Sequence, residues 1–373
     1  MTKRQRGSWV GRGCLGAAAV LAVASCVVVK GLPFVQSTVF PGYRDVSKAV
    51  AWALAVATSF SPVALWDLGI ACGVVALLVV VVRRVRTRRP VLPPLAVAAF
   101  AAALSAFLFV AWAGNHYAPP LADELGLAVR TYSVDELADA TEHYLSDAAE
   151  LAGQVPRDGE GTLERQDFFA LARVAGASYE SLAGTYAVFR GPTVPVKALL
   201  AWGVPLLYSG HTGIYWAPTG EAGVPLDCAV ADMPFIMCHE AAHRLAIASE
   251  QEANFAAYLA CEVSEDVRFG YSGAFNAFCY CYNALYRADP ERAQALLQEV
   301  AQGDLRRGVE LVLADWNATS AHYRAYEGPF EEVGTTVNDT YLKSFGEASG
   351  VRSYGLVVDY LIAWQSGSKG RVL

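Results

Sequence analysis

Residues 238–261 read CHEAAHRLAIASEQEANFAAYLAC, and within them His239-Glu240-Ala241-Ala242-His243 forms an HExxH pattern. On a helix, positions four apart lie on one face, so both imidazoles point at one metal ion while Glu240 projects beside them. The chemistry expected of such a set is hydrolysis. A single zinc ion (Zn2+) per chain would polarise a scissile carbonyl and acidify water, and Glu240 would take the water's proton as general base. The bland alternative is two histidines on an ordinary helix. With only six histidines in the chain, a chance HExxH has a probability on the order of one in a hundred.

A catalytic zinc needs a third protein ligand and one open position. Glu250 and Glu252 are the nearest candidates. In an unbroken helix, Glu250 would lie about 10 Å along the axis from His243, too far to share an ion. The helix must therefore stop, and a stop near Ile247-Ala248 is expected. Ser249-Glu250-Gln251-Glu252 then reads as a capping box that starts a new helix, with Glu252 engaged by the cap and Glu250 free to turn back. Asn254, one turn beyond Glu250, is placed to hydrogen-bond a ligand. Glu252 remains the alternative ligand, and both glutamates also suit the positive end of a helix without any metal.

An oxyanion partner would complete the site. Tyr271 and His322 are the leading candidates, with Arg268, Tyr323, Tyr341 and Tyr354 also available. Each of these also reads simply as packing or surface. The strand-like Gly213-Ile214-Tyr215-Trp216 is either an edge that pairs with an extended peptide or a buried hairpin. His116, His143 and His211 lie far from the metal motif in sequence and are not expected to be ligands.

The elements that must position these groups are mostly helical. Ser133-Val134-Asp135-Glu136 is a capping box that opens a helix over Val134 to Ala152, with Leu137, Ala140, Tyr144 and Leu145 on one stripe. A second long helical pattern runs from Thr162 to Phe189 and stops at Gly191-Pro192. Residues 194–204 and 213–224 are richer in β-branched, aromatic, Gly and Pro residues and read as short strands and turns. Helices resume from Pro234 to about Val300. Two more are expected at Leu305 to Arg324 and Tyr354 to Trp364, joined by a Gly-, Asn- and Thr-rich connection.

Charge divides the 373 residues in two. Residues 1–113 hold 12 Lys+Arg against 2 Asp+Glu, and residues 114–373 hold 17 against 34. Only 17% of the chain is charged and 54% is hydrophobic, with mean hydropathy +0.29, whereas a soluble domain carries about 25% charge. The acidic part argues against nucleic acid, which demands a basic face. Three apolar runs, Gly13–Val29, Leu68–Val82 and Leu92–Ala113, lie within spans expected near residues 13–32, 63–82 and 92–113. The first two reach spanning length only with Lys30 and Asp67 at interfaces. Val46 to Phe60, which carries Lys48, reads as a helix lying in the interface. Arginines and lysines before the first span, and Arg83 to Arg89 between the second and third, place those flanks in the cytoplasm and residues 114–373 outside it. A cleaved leader with a lipobox-like Val23-Ala24-Ser25-Cys26 competes for the first run, although two further spans make it unnecessary. Among eight cysteines there is no CxxC pair, so Cys228, Cys238, Cys261, Cys279 and Cys281 read as small buried hydrophobes.

The ExxAN spacing of Glu250 to Asn254 after HExxH is similar to that of gluzincin metallopeptidases, where such a glutamate is the third ligand. The six-residue gap between His243 and Glu250 is shorter than is typical there. More broadly, the chain resembles the domain-of-unknown-function 3810 family of bacterial membrane proteins. The residues that carry this resemblance are Asn115-His116-Tyr117 with Pro120-Leu121, Thr219 to Ala222, Cys238 to Cys261, Arg268 to Gly273, and Val337 to Lys343 with Val351 to Asp359. The resemblance implies a mainly α membrane protein, with three N-terminal transmembrane helices followed by a mostly helical α+β zincin-like domain. It implies no substrate. The expectation is a multi-pass protein of a bacterial cell membrane, in contact with the lipid bilayer, whose extracytoplasmic domain hydrolyses peptide or protein. The competing class is a sensory or scaffolding membrane protein that keeps the fold without turnover, and an intact Glu240 favours the enzyme.

Overall fold

The computed structural model describes residues 3–40, 42–345 and 357–368. The chain begins with four helices: α1 (Lys3–Val39), α2 (Gly42–Thr58), α3 (Leu65–Arg86) and α4 (Leu92–Ala113). Three stretches, Gly11–Val39, Leu65–Arg86 and Leu92–Tyr117, are long and apolar enough to cross a membrane. The first is longer than expected. Helix α1 continues past Lys30 to Val39 without a break, and Gln36 near its end donates to the Tyr117 carbonyl at 2.5 Å.

The second long helix starts at Leu65 rather than Val63 because the preceding residues join a sheet. Ala64 N–H donates to the Ala198 carbonyl, and Ala198 N–H to that of Pro62. Asp67, in the first turn of α3, is correspondingly buried in protein. Helix α2 forms where an interfacial helix was expected. Its Ala51 and Ala55 are buried against Gly220, at φ +67°, where a Cβ would come within 2.7 Å of Ala55 N. Val46, Val50 and Trp52 are left exposed.

The rest of the chain is α5 (Leu121–Leu125), α6 (Val134–Ala152), α7 (Phe168–Ala177), α8 (Glu180–Thr185), β1 (Lys197–Leu199), α9 (Gly203–Tyr208), β2 (Ile214–Trp216), β3 (Glu221–Pro225), α10 (Met233–Arg244), α11 (Glu250–Glu262), α12 (Val267–Ala288), α13 (Pro290–Val300), α14 (Arg306–Arg324), α15 (Pro329–Ser344) and α16 (Val357–Ser368). The sheet order is β1-β3-β2, with β1 parallel and β2 antiparallel to β3. Helices α6, α10, α11, α12 and α14 pack around a core that includes Tyr144, Phe255, Phe269, Phe275 and Phe278. Trp112, Ala113 and Ala51 belong to that same core.

Helix α6 opens on the expected capping box: Ser133 Oγ accepts from Glu136 N at 3.2 Å, and the Glu136 carboxylate accepts from Ser133 N at 2.9 Å. The helix expected over 162–189 is instead split. Asp167 caps α7 by accepting from Phe169 N, and Gly176 lies so close to the Val194 carbonyl that a Cβ would reach within 2.6 Å of it. The connection after residue 324 also differs, because α15 fills much of it. Thr336 and Thr340 hydroxyls bond back to the carbonyls four residues earlier, each at 2.8 Å. Pro329 and two acidic residues in its first turn favour the helix start. The eight cysteines are free thiols, and Cys228, Cys238, Cys261 and Cys281 are buried.

Candidate metal centre

Helix α10 begins with Pro234 in its first turn and ends at Arg244, three residues before the expected stop. Ala246 takes φ +63°. Its N–H bonds the His243 carbonyl and Ile247 N–H bonds that of Ala242, the paired closure of a Schellman turn. A non-glycine residue here costs about 1 kcal/mol. The turn reverses the chain and aims the Ile247 carbonyl back at His243 Nδ1, 2.7 Å away. Helix α11 then starts at Glu250, facing the metal-motif helix.

His239, His243 and Glu250 converge, each offering one ligand atom within 4.8 Å of the others. The two Nε2 atoms are 3.0 Å apart, and Glu250 Oε2 lies 3.1 Å and 3.7 Å from them. Both Nδ1 atoms face oxygen acceptors, the Ile247 carbonyl for His243 and Asn254 Oδ1, at 2.8 Å, for His239. Each neutral ring therefore carries its proton on Nδ1 and presents a lone pair at Nε2. Two lone pairs and a carboxylate oxygen aimed at one point repel unless a positive charge joins them.

The electrostatics express the same demand. Burial pushes the Glu250 carboxyl up, but His243 and His239 outweigh it and hold the group below the usual carboxylate range. Burial disfavours the His243 cation, but Glu250 and then Glu240 overcome this and raise it to about 9. A His₂Glu set with a buried carboxylate fits the N and O donors of zinc.

Glu240 is nearly buried, and that burial pushes its carboxyl up to about 7. It sits against Gly213, where a Cβ would come within 2.4 Å of its Oε1. Only glycine leaves this carboxylate its place. The next residues form β2, which among the described strands pairs only with β3, as an antiparallel hairpin at the edge of the sheet with Tyr215 buried. Ile214, Tyr215 and the metal cluster line one cavity of about 850 Å³.

The Ser249 capping box does not form: Ser249 is the N-cap without a side-chain cap bond. Glu252 turns away from the metal cluster, its Oε1 accepting from Leu121 N at 2.7 Å and from the Tyr360 hydroxyl at 3.1 Å. The oxyanion candidates separate. Tyr271 is buried and donates to Asp315, itself held by Arg157 at 2.6 Å, and His322 bonds the Asp227 carbonyl at 2.6 Å. Neither lines the cavity. Arg268 pairs with Asp266, the Tyr323 hydroxyl accepts from Ala229 N and bonds the Asp232 carboxylate, and Tyr354 lies outside the described residues. Tyr341 does line the cavity, as do His116 and His211, with His116 Nε2 3.2 Å from the Tyr341 hydroxyl. His143 is elsewhere, beside Asp147 on α6.

Sequence reasoning missed Gly213 as the seat of Glu240. It also missed Trp112, whose Nε1 donates to the His243 carbonyl at 3.2 Å. The only sign of either was a glycine before a strand and a tryptophan ending an apolar run.

A family model described as a protein of unknown function (DUF3810) matches residues 43–362. No curated protein and no solved structure matches the chain.

Proposed function

Because the chain belongs to this family of proteins of unknown function (DUF3810), we propose its activity from the site alone: a membrane-anchored, zincin-like zinc metallopeptidase. The carrying observation is the convergence of His239, His243 and Glu250 with Glu240 beside them and clear of the ligand set. His239, His243 and Glu250 would hold the ion. When bound, zinc supplies Lewis acidity to a scissile carbonyl and makes water acidic enough to attack near neutral pH.

The remaining steps belong to the chain. An extended peptide adds to the free edge of β2 by main-chain hydrogen bonds, which brings its carbonyl past Glu240. Glu240, with its carboxyl near 7, takes a proton from the attacking water and returns it to the departing amine nitrogen. Asn254 and the Ile247 carbonyl fix both imidazole tautomers throughout.

The domain after α4 is assigned to the extracytoplasmic side of a bacterial cell membrane, on the basic residues 83–89 between α3 and α4. Protease added to intact spheroplasts should digest it; full protection places it in the cytoplasm. Hydrolysis is tested with the full chain in detergent. The zinc-loaded protein should cleave a peptide library, lose activity to a chelator and regain it with zinc, and His239→Ala should do none of these. Cleavage that survives both chelation and His239→Ala contradicts the reading.

A further inference from the structure

One wall of the cavity is the end of a membrane-length helix. Phe109 and Trp112, in the last two turns of α4, line it, and the Trp112 ring lies 5.8 Å from that of His243. The metal-binding helix is thus joined directly to the end of a span.

A second span is fastened with equal rigidity. Asp67, in the first turn of α3, accepts the backbone N–H groups of Leu200, Ala201 and Trp202 at 2.7, 2.9 and 2.7 Å. Glu221 on β3 reciprocates, accepting from Leu65 N at 2.8 Å and Trp66 N at 3.1 Å, with Lys197 2.7 Å from its Oε1. The next strand across the sheet is β2, the cavity's edge strand. Two buried carboxylates therefore hold the cavity at a fixed height above the two spans.

Several apolar side chains are exposed beside these anchors. Leu200, Trp202 and Val204 are exposed at the foot of α3, and Val333 and Val337 are exposed on α15, with Val337 on the cavity's lining. Gly334 of α15 lies against Ser209, which follows α9, so close that a Cβ would reach within 2.2 Å of the Ser209 carbonyl. Exposed apolar side chains beside membrane-length helices suit contact with lipid.

Building on the hydrolase reading above, we infer that the substrate is a polypeptide anchored in the same bilayer and engaged close to the membrane surface. The His243 ring lies 5.8 Å from that of Trp112, one residue before the end of α4, so the metal cluster stands within a few residues' reach of that end. An extended chain rises about 3.3 Å per residue, so the segment engaged lies about three to six residues from its anchor. Soluble polypeptide, lacking the anchor, reaches the site only from bulk solution.

The test uses the full chain in phosphatidylethanolamine–phosphatidylglycerol vesicles and palmitoylated peptides. A photoreactive benzoylphenylalanine stands about 2, 5, 10 or 20 residues from the anchor. Zinc-loaded Glu240→Gln is photolabelled and the sites are mapped, so the readout does not depend on turnover. Labelling within residues 210–216 or 334–341 should peak near the five-residue spacing. It should fall about tenfold by the longest spacing, as effective concentration declines with linker length, and further without the palmitoyl group. Equal labelling at all spacings, or equal labelling by the unanchored peptide, overturns the inference. The wild-type chain is assayed for cleavage of the same peptides. Spacing-dependent labelling without cleavage keeps the membrane placement and removes the hydrolase reading. Cleavage indifferent to spacing and anchor keeps the hydrolase and removes the placement.

Discussion

Asn254 Oδ1 accepts from Nδ1 of His239 at 2.8 Å, although the two residues sit on different helices separated by a tight reversal of the chain. That bond fixes which ring nitrogen of His239 faces His243 and Glu250. Asn254→Ala frees the ring to rotate and to change tautomer. Zinc affinity should fall about 10- to 100-fold, as for loss of such an outer partner. Competitive titration against a chromogenic chelator measures it, and unchanged affinity would show that the ring needs no such support.

The two glutamates of α11 should part company. Glu250→Gln removes a ligand and should weaken zinc by more than about 100-fold, beyond the range for an outer partner. Glu252→Ala should leave the metal in place while stripping Leu121 N and the Tyr360 hydroxyl of their acceptor. A buried donor left unpaired costs about 1–3 kcal/mol, read as a lower melting temperature. Loss of zinc in Glu252→Ala with a normal melting temperature would reverse the assignment.

Gly213→Ala places a methyl group against the Glu240 carboxylate. The metal ligands are untouched, so zinc affinity should stay within about threefold while peptide hydrolysis drops at least about tenfold through displacement of the base. Titration and assay on one preparation separate the two. Full activity would mean that Glu240 has no fixed seat.

Much of this arrangement was legible from residues near one another in sequence. The capping box at Ser133 needs only four residues, and the convergence of His239, His243 and Glu250 follows from helical spacing plus the length limit that forces a break before Glu250. What was not legible depends on distant partners. Tyr271 is drawn from the cavity by Asp315, and Glu252 by Leu121 and Tyr360. Helix α15 overrides its Gly, Asn and Thr content by bonding its threonines internally and by setting Gly334 against Ser209. The run over 162–189 looks continuous in apolar pattern, but the close approach of Gly176 to residues 194–195 divides it.

Stability should carry the mark of Asp232, whose carboxyl burial pushes from an ordinary 3.8 up to about 6, against hydrogen bonds from Asn276 and Tyr323. A raised pKa means that the folded chain binds the proton more tightly. Its stabilising contribution is complete below about pH 4 and is lost as pH rises through about 6. The loss amounts to at most about 3 kcal/mol. Melting temperatures of wild type and Asp232→Asn between these pH values should converge at the acid end and diverge in favour of the variant toward neutrality. Parallel curves would show that this carboxyl stays ionised throughout.

The central claim is that Glu240 does chemistry which the metal ligands alone do not. Glu240→Gln preserves size and hydrogen bonding but removes basicity. The decisive measurement compares wild type and Glu240→Gln, both full-length, folded and shown by metal analysis to hold one zinc per chain, for cleavage of the same peptide library. The account predicts equal zinc content and a loss of hydrolysis of at least about 100-fold, the usual worth of a positioned general base. Equal cleavage by the two proteins, or none by zinc-loaded wild type, would contradict it.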